Sequence, residues 1–214
     1  FVYHFPEFYN DFMLTATFKI GFLLIAWLVA RIQHLKGLEG YGLKLSGKSV
    51  MNTLSGCCIG VLFFGLAVYI SVWMGFENIE KVEGITVIGK NLPMLLLMTA
   101  VPSLAEDILT RGYLFGHLQS LKPVYWVLLS ALVYVGNHIW RLNEGLDVLC
   151  YLFFFGIVLA LAVQITQSLW LAFGIHWGAN IAFESTHSFI QLHSVLKVNV
   201  SNWLLAAVWT FLSI

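Results

Sequence analysis

The sequence has 214 residues, of which 59% are hydrophobic and only 10% are charged, whereas a soluble domain has roughly half and a quarter. Lys and Arg total 11, Asp and Glu total 11, and the formal net charge is zero. These values exclude an ordinary soluble domain, a disordered chain and a protein that binds nucleic acid through a basic patch. They predict an integral membrane protein.

Long apolar runs predict the membrane spans. A spanning helix needs about 20 mostly apolar residues, and runs of this length indicate helices because backbone polar groups in lipid must be satisfied internally. The predicted fold is therefore all-α, a polytopic membrane bundle of about seven transmembrane helices. The predicted spans are Phe12–Ala30, Thr53–Met74, Leu92–Leu118, Val124–Trp140, Leu146–Ile165, Leu169–Ile190 and Val200–Ile214.

The connections between these spans are short and polar, so no second, soluble domain is expected. We divide the chain into an N-terminal pair of helices with their loops (1–90), a core of helices (91–190) and a C-terminal helix (191–214). The loop 31–50 is the most basic connection, and the positive-inside rule predicts that it is cytoplasmic. Its cations are Arg31, Lys36, Lys44 and Lys48.

Two glycine-containing patterns need interpretation. Residues 42–49 match the P-loop pattern, but they lie between two membrane helices rather than between a strand and a helix, so no nucleotide is expected. Gly-x-x-x-Gly lets helices approach closely, and we expect it to serve packing within the chain rather than dimerisation. It occurs at Gly56/Gly60, Gly112/Gly116 and Gly174/Gly178.

Several polar side chains fall inside the apolar spans, where they are costly, usually pair or face a cavity, and often mark function. They are Glu106, Asp107, Arg111, His138, His176, Asn180 and Glu184. Asp107 and Arg111 are four residues apart, so they share a helical face and can form an ion pair. Glu106 points about 100° away and lacks this partner, which suits a general base or acid.

Spacing indicates which of these groups share a helical face and how deep they lie. Tyr134 and His138 are four residues apart, as are His176 and Asn180. The turn after the third span lies near residue 122, the midpoint of 106 and 138, so Glu106 and His138 should lie at the same depth. His176 lies about 12 Å into its helix at 1.5 Å per residue, close to mid-bilayer.

One carboxylate, two imidazoles and a carboxamide therefore converge on a predicted buried, wet pocket. A carboxylate and an imidazole can activate a water, and further donors can stabilise an oxyanion. The inventory suits hydrolysis of a peptide bond inside the membrane. The alternative is that these groups only form interhelical hydrogen bonds.

Three segments resemble the motifs of the CPBP family of intramembrane proteases (CAAX protease and bacteriocin-processing, also called Abi). Residues 106–111 resemble E-E-x-x-x-R, residues 134–138 resemble F-x-x-x-H, and residues 168–180 resemble H-x-x-x-N with its S-L-W lead-in. The resemblance covers about residues 90–185. This sequence has Asp107 where the motif has a second Glu, and Tyr134 where it has Phe.

The resemblance implies a glutamate-dependent intramembrane endopeptidase. Carried over, Glu106 and His138 would activate the attacking water, and His176 and Asn180 would form the oxyanion hole. Arg111 would hold the motif helix in place, with Asp107 and Tyr134 as the other supporting residues.

The family also admits a metal-dependent interpretation. A zinc ion would be held by Glu106, His138 and His176, but this set is not a helix-borne H-E-x-x-H motif, so we expect no cofactor and keep zinc as the alternative.

We expect a membrane-embedded or lipidated peptide as substrate, the lipid bilayer as environment and a bacterial plasma membrane as location. A partner membrane protein is compatible with the sequence, whereas nucleic acid and nucleotide are not expected. The alternative function is a catalytically weak or inactive CPBP-like scaffold or immunity subunit of a membrane complex. A transporter or proton relay is a third interpretation, although no inverted repeat is visible.

Overall fold

The structure, a computed structural model, describes residues 8–141, 143–195 and 200–214. In these residues seven helices pack into one bundle, which confirms the predicted all-α membrane fold. The helices are α1 (Phe8–Ile32), α2 (Gly47–Trp73), α3 (Ile85–His117), α4 (Pro123–Gly136), α5 (Leu146–Thr166), α6 (Leu169–Ser188) and α7 (Val200–Leu212).

Three of these helices, α2, α3 and α5, are long and apolar enough to cross a membrane by length and composition. Shorter apolar stretches are Ile20–Ile32 within α1, together with α4 and α7. The helix α6 has 20 residues but carries the polar side chains of the third motif. The number of seven spanning segments therefore stays a prediction, whereas the all-α membrane bundle is confirmed.

Several helix ends differ from the predicted ones because local caps and turns decide them. The helix α2 begins at Gly47 rather than Thr53, since Ser46 caps it: the Ser46 amide donates to Ser49 Oγ at 2.9 Å. The helix α4 ends at Gly136 rather than Trp140, so His138 lies in the following turn.

A two-stranded antiparallel sheet was not predicted. Its strands are β1 (Glu77–Val82) and β2 (Ile190–Ser194), with Glu77 opposite Ser194. The residues of β1 had been assigned to a polar connection, and Ile190 to the sixth span, so the sixth span ends at Ser188 instead. The strands are far apart in sequence and pair because α2 and α6 end side by side.

The helices α2 and α6 pack backbone against backbone through their glycines. A Cβ on Gly60 would meet the Ile175 carbonyl oxygen, and one on Gly178 would meet the Cys57 carbonyl oxygen. The close approach within the chain that the glycine spacing predicted is therefore present. It fixes the position of α6 on α2, and hence the depth of His176.

The two ends of the bundle differ. At one end, which we call the basic end, the connections α1–α2, α3–α4 and α5–α6 meet: the Leu169 amide donates to the Gly42 carbonyl at 3.0 Å. At the other, the hairpin end, the sheet meets the α4–α5 connection and the start of α7. There Asn202 Nδ2 donates to Asp147 Oδ2 at 2.7 Å, and the Ser71 and Ser201 hydroxyls are 3.0 Å apart.

Candidate active site

Glu106 and Asp107 lie where α3 changes its winding. The α-helical part ends at Asp107, and a π turn (Ile108–Gly112) follows before the helix resumes. Such turns are rare and often occur at functional sites. The Glu106 side chain is 30% exposed, whereas those of Asp107 and Arg111 are fully buried.

Asp107 bridges two partners. Arg111 Nη1 donates to Asp107 Oδ1 at 2.5 Å, which is the ion pair that the spacing predicted. His176 Nδ1 donates to the same oxygen at 3.2 Å, a contact that the sequence did not predict. The Arg111 guanidinium also lies 4.7 Å from the centre of the Tyr134 ring, which covers part of its buried charge. Asp107 thus links the first motif to the third.

His138 lies one residue beyond the end of α4 but keeps its predicted relation to Tyr134. Its Nδ1 is 2.9 Å from the Tyr134 carbonyl oxygen. A carbonyl only accepts, so Nδ1 carries the proton and the neutral ring presents Nε2 as an acceptor. His138 Nε2 lies 3.8 Å from Glu106 Oε2, as the equal depths of the two residues had suggested.

His176 is oriented in the same manner from the other side. The carboxylate of Asp107 accepts the Nδ1 proton, so Nε2 points away from it into the site. His176 Nε2 is 3.8 Å from Glu106 Oε2 and 3.5 Å from the Tyr134 hydroxyl oxygen. The two imidazoles therefore approach one carboxylate oxygen from two helices.

Asn180 lies one turn beyond His176 and is held by a serine that the sequence analysis missed. Its Nδ2 donates to Ser103 Oγ at 2.9 Å, and Ser103 Oγ donates to the Thr99 carbonyl at 2.7 Å. Ser103 is fully buried and precedes Glu106 by three residues on α3. Its position one turn before the first motif was the only sequence signal for this role.

These side chains line a cavity of about 180 Å³ inside the bundle. Its polar wall consists of Glu106, Tyr134, His138, His176 and Asn180 together with Arg141, Tyr151 and Asn202, while Glu184 does not line it. We call this the inner cavity. Trp209 of α7 lines the cavity together with Phe155. The C-terminal helix therefore contributes to the site, although it carries none of the three motifs.

A second cavity, the outer cavity, measures about 530 Å³ and extends to the hairpin end. Glu77 of β1 and Leu192 of β2 line its far wall. The two cavities share five lining residues, so they adjoin. The shared residues are Phe64, Arg141, Phe183, Asn202 and Leu205.

The donor types of the inner cavity suit zinc, but their spacing does not form a ready site. Tetrahedral ligands at 2.0–2.1 Å from zinc lie about 3.4 Å from one another, and both imidazole Nε2 atoms are 3.8 Å from Glu106 Oε2. The described part of the chain holds no group of three His, Cys, Asp or Glu side chains that could hold a metal.

Fold and cavity together define an integral membrane protein whose ionisable side chains meet between its helices. Residues 88–182 match a family model described as Rce1-like, type II CAAX prenyl endopeptidase. The matched segment contains the three motifs, and the resemblance to the CPBP family is confirmed there. The match spans less than half of the chain, and the matched segment is similar to that of a family of membrane proteases. Neither the curated proteins nor the solved structures include a significant match.

Proposed function

We propose that this protein is an intramembrane endopeptidase of the type II CAAX kind, in which Glu106 and His138 activate a water. The observation that carries the proposal is the position of Glu106 Oε2, 3.8 Å from the Nε2 atoms of both His138 and His176. Groups at this separation can share one water at hydrogen-bond distance. The cavity is large enough for several waters.

In the proposed reaction, the water donates one proton to Glu106 while its oxygen attacks the carbonyl carbon of the scissile peptide bond. The C–N bond then breaks, and Glu106 returns the proton to the leaving amine. His138 accepts the second water hydrogen at Nε2 and orients the nucleophile. Positioned acid–base groups of this type contribute about 10²–10⁴-fold to a rate.

The negative charge that develops on the carbonyl oxygen must be stabilised by hydrogen-bond donors. In the proposal, the protonated His176 ring donates from Nε2, since Asp107 accepts at Nδ1 and stabilises the cation. The Asn180 amide supplies a second donor, because only one of its two N–H bonds is directed to Ser103. Asp107 and Arg111 act as positioning residues that hold His176.

The proposed substrate is a membrane-associated peptide that carries a lipid near the cleaved bond. Glu106 also borders an apolar groove of about 230 Å³ between α1 and α3. Phe18, Phe22, Ala105 and Leu109 complete this groove. An apolar chain in the groove would bring an attached peptide to Glu106, which supports a lipidated substrate.

The test is cleavage of a lipidated, membrane-anchored reporter peptide by the purified protein in vesicles. Glu106→Gln keeps the shape of the side chain but removes its basicity, so we expect kcat to fall by about 10²–10⁴-fold. Glu184→Gln is the matched control: it removes an intramembrane glutamate that lines neither cavity, and cleavage should be unchanged.

Full activity of the Glu106→Gln protein would refute this mechanism. Absence of cleavage by both wild type and variant, with both proteins folded and a partner protein co-purifying equally with each, would instead favour the scaffold or immunity subunit.

A further inference from the structure

Tyr134 carries a hydroxyl group to which the proposed reaction gives no role. The motif that residues 134–138 resemble has Phe at this position, so the hydroxyl is a departure of this sequence from the motif. Tyr134 is 3% exposed and lines the inner cavity. Burial of a polar group is costly unless it forms hydrogen bonds, so the partners of this hydroxyl decide what it does.

Neighbours on three helices hold the Tyr134 ring in one position. The Arg111 guanidinium of α3 lies 4.7 Å from the ring centre, and the ring centres of Phe155 and His176 lie 6.0 and 5.7 Å away. On α5, Gly156 leaves room for the ring, since a Cβ there would lie 3.3 Å from Tyr134 Cδ1. The hydroxyl is therefore fixed in the cavity wall before a substrate arrives.

The hydrogen bond of this hydroxyl in the resting site is weak. His176 Nδ1 carries the proton that Asp107 accepts, so the neutral ring accepts at Nε2 and the Tyr134 O–H donates to it at 3.5 Å. This distance is long, because O–H donors usually lie about 2.7–2.8 Å from an oxygen acceptor. Within the described part of the chain, the hydroxyl has no other hydrogen-bond partner. It is therefore available to a better acceptor in the cavity.

An oxyanion next to His176 is such an acceptor. In the proposed reaction His176 donates from Nε2, so it stops accepting from Tyr134, and the O–H turns to the negative charge. We propose that the Tyr134 hydroxyl is a third donor of the oxyanion hole, beside His176 and Asn180. The inference rests on the proposed function and deepens it, because it makes Tyr134 a catalytic residue. The hydroxyl keeps its proton, so no bond forms or breaks at its oxygen.

The surroundings favour the phenol as a donor. The Arg111 cation lies over the face of the ring and attracts its electrons, which strengthens the hydroxyl as a donor. Buried hydrogen bonds are also stronger than those in water. Because the phenol is neutral, it adds a donor without adding a second positive charge next to His176.

The test replaces Tyr134 by Phe, the residue of the motif, which removes the hydroxyl and keeps the ring. We expect kcat for the lipidated reporter peptide to fall by about 10²–10³-fold, as for the loss of one oxyanion donor. KM should stay unchanged, because the charge that the hydroxyl binds is absent from the ground state. Tyr125→Phe is the matched control, since Tyr125 lies on the same helix, is 61% exposed and lines neither cavity. Its kcat should not change.

Binding of a phosphinic peptide tests the donor without catalysis. In this analogue a negatively charged, tetrahedral phosphinate replaces the cleaved bond, so it resembles the transition state. Tyr134→Phe should weaken its binding by about 10–100-fold, as expected for a hydrogen bond to a charged group. The affinity for the reporter peptide itself, measured in the Glu106→Gln protein to prevent cleavage, should not depend on the hydroxyl.

These measurements separate the inference from the proposed function. A wild-type kcat in Tyr134→Phe, or a loss confined to KM, would overturn the inference while Glu106→Gln still tested the proposed function. If the wild type cleaved no reporter, the phosphinic peptide would decide: weaker binding to Tyr134→Phe supports the donor, and equal binding overturns it.

The same substitution in a His176→Gln background distinguishes a direct donor from a group that only orients His176. A further loss of affinity for the phosphinic peptide in the double variant would support direct contact of the hydroxyl with the oxyanion. No further loss would overturn the inference, because Tyr134 would then act only through His176.

Discussion

The stability of the site depends on one buried ion pair, between Asp107 and Arg111. Both side chains are fully buried and meet through one carboxylate oxygen, Asp107 Oδ1, which also accepts from His176. Removal of one partner of a buried pair leaves an uncompensated charge, which costs about 3–5 kcal/mol. Asp107→Asn should therefore lower the unfolding temperature in detergent, and Arg111→Gln should do the same.

The double variant provides the control for this first prediction. With both charges removed, no charge is left unpaired, so the combined loss of stability should be smaller than the sum of the two single losses. Strictly additive losses would contradict the ion pair. Both single variants should also lower cleavage: Asp107→Asn removes the charged acceptor of His176 Nδ1, and Arg111→Gln removes the cation that holds Asp107 in place.

At the residue scale, spacing along a helix could predict some contacts and not others. The Asp107–Arg111 pair follows from a four-residue separation, and the level positions of Glu106 and His138 follow from the length of their hairpin. The contact of Asp107 with His176 depends on how α6 crosses α3, and no spacing within one helix encodes that crossing. The position of Arg141, which lines both cavities, was not predicted either, because it depends on the 3₁₀ turn Ile139–Arg141 and on helices far away in sequence.

The packing of α2 on α6 is the element that sets the depth of His176. A Cβ on Gly60 would overlap the Ile175 carbonyl, the backbone group next to His176. Gly60→Ala should therefore force the helices apart, which costs about 1–3 kcal/mol. It should also lower cleavage, because His176 moves relative to Glu106. Unfolding temperature and reporter cleavage measure the two effects.

Gly65 on the same helix is the matched control, because a Cβ there meets nothing within 4 Å. Gly65→Ala should leave cleavage unchanged and gain up to about 1 kcal/mol from helix propensity. If Gly60→Ala behaved like Gly65→Ala, the close packing of α2 on α6 would not hold the site.

At the element scale, the helices could be predicted from the sequence and the sheet could not. A spanning helix must bury its own backbone polar groups, so its hydropathy is visible in a single sequence. The strands β1 and β2 are short and polar and pair across more than a hundred residues, and a local pattern does not contain that pairing. The π turn after Asp107 is likewise a response to packing rather than to a sequence signal.

The whole molecule presents an asymmetry of charge between its two ends. Among the residues that the structure describes, the basic end carries one acid, Glu39, and five cations: Arg31, Lys36, Lys44, Lys48 and Lys122. The described part of the hairpin end carries more acids than cations, and the acids include Glu77, Glu80 and Glu83 on β1 or next to it. The positive-inside rule then predicts that the basic end is cytoplasmic and the hairpin end is not.

This orientation determines the side to which the cavities open, since the outer cavity extends to the hairpin end. We expect a cysteine at position 80 of β1 to react with a membrane-impermeant maleimide on intact cells, and one at position 44 to react only after lysis. Both Glu80 and Lys44 are exposed, and Cys57, Cys58 and Cys150 would first be replaced. The predicted result would mean that the released peptide leaves away from the cytoplasm. The reverse pattern would contradict the positive-inside assignment and direct both the cavities and the cleaved chain ends toward the cytoplasm.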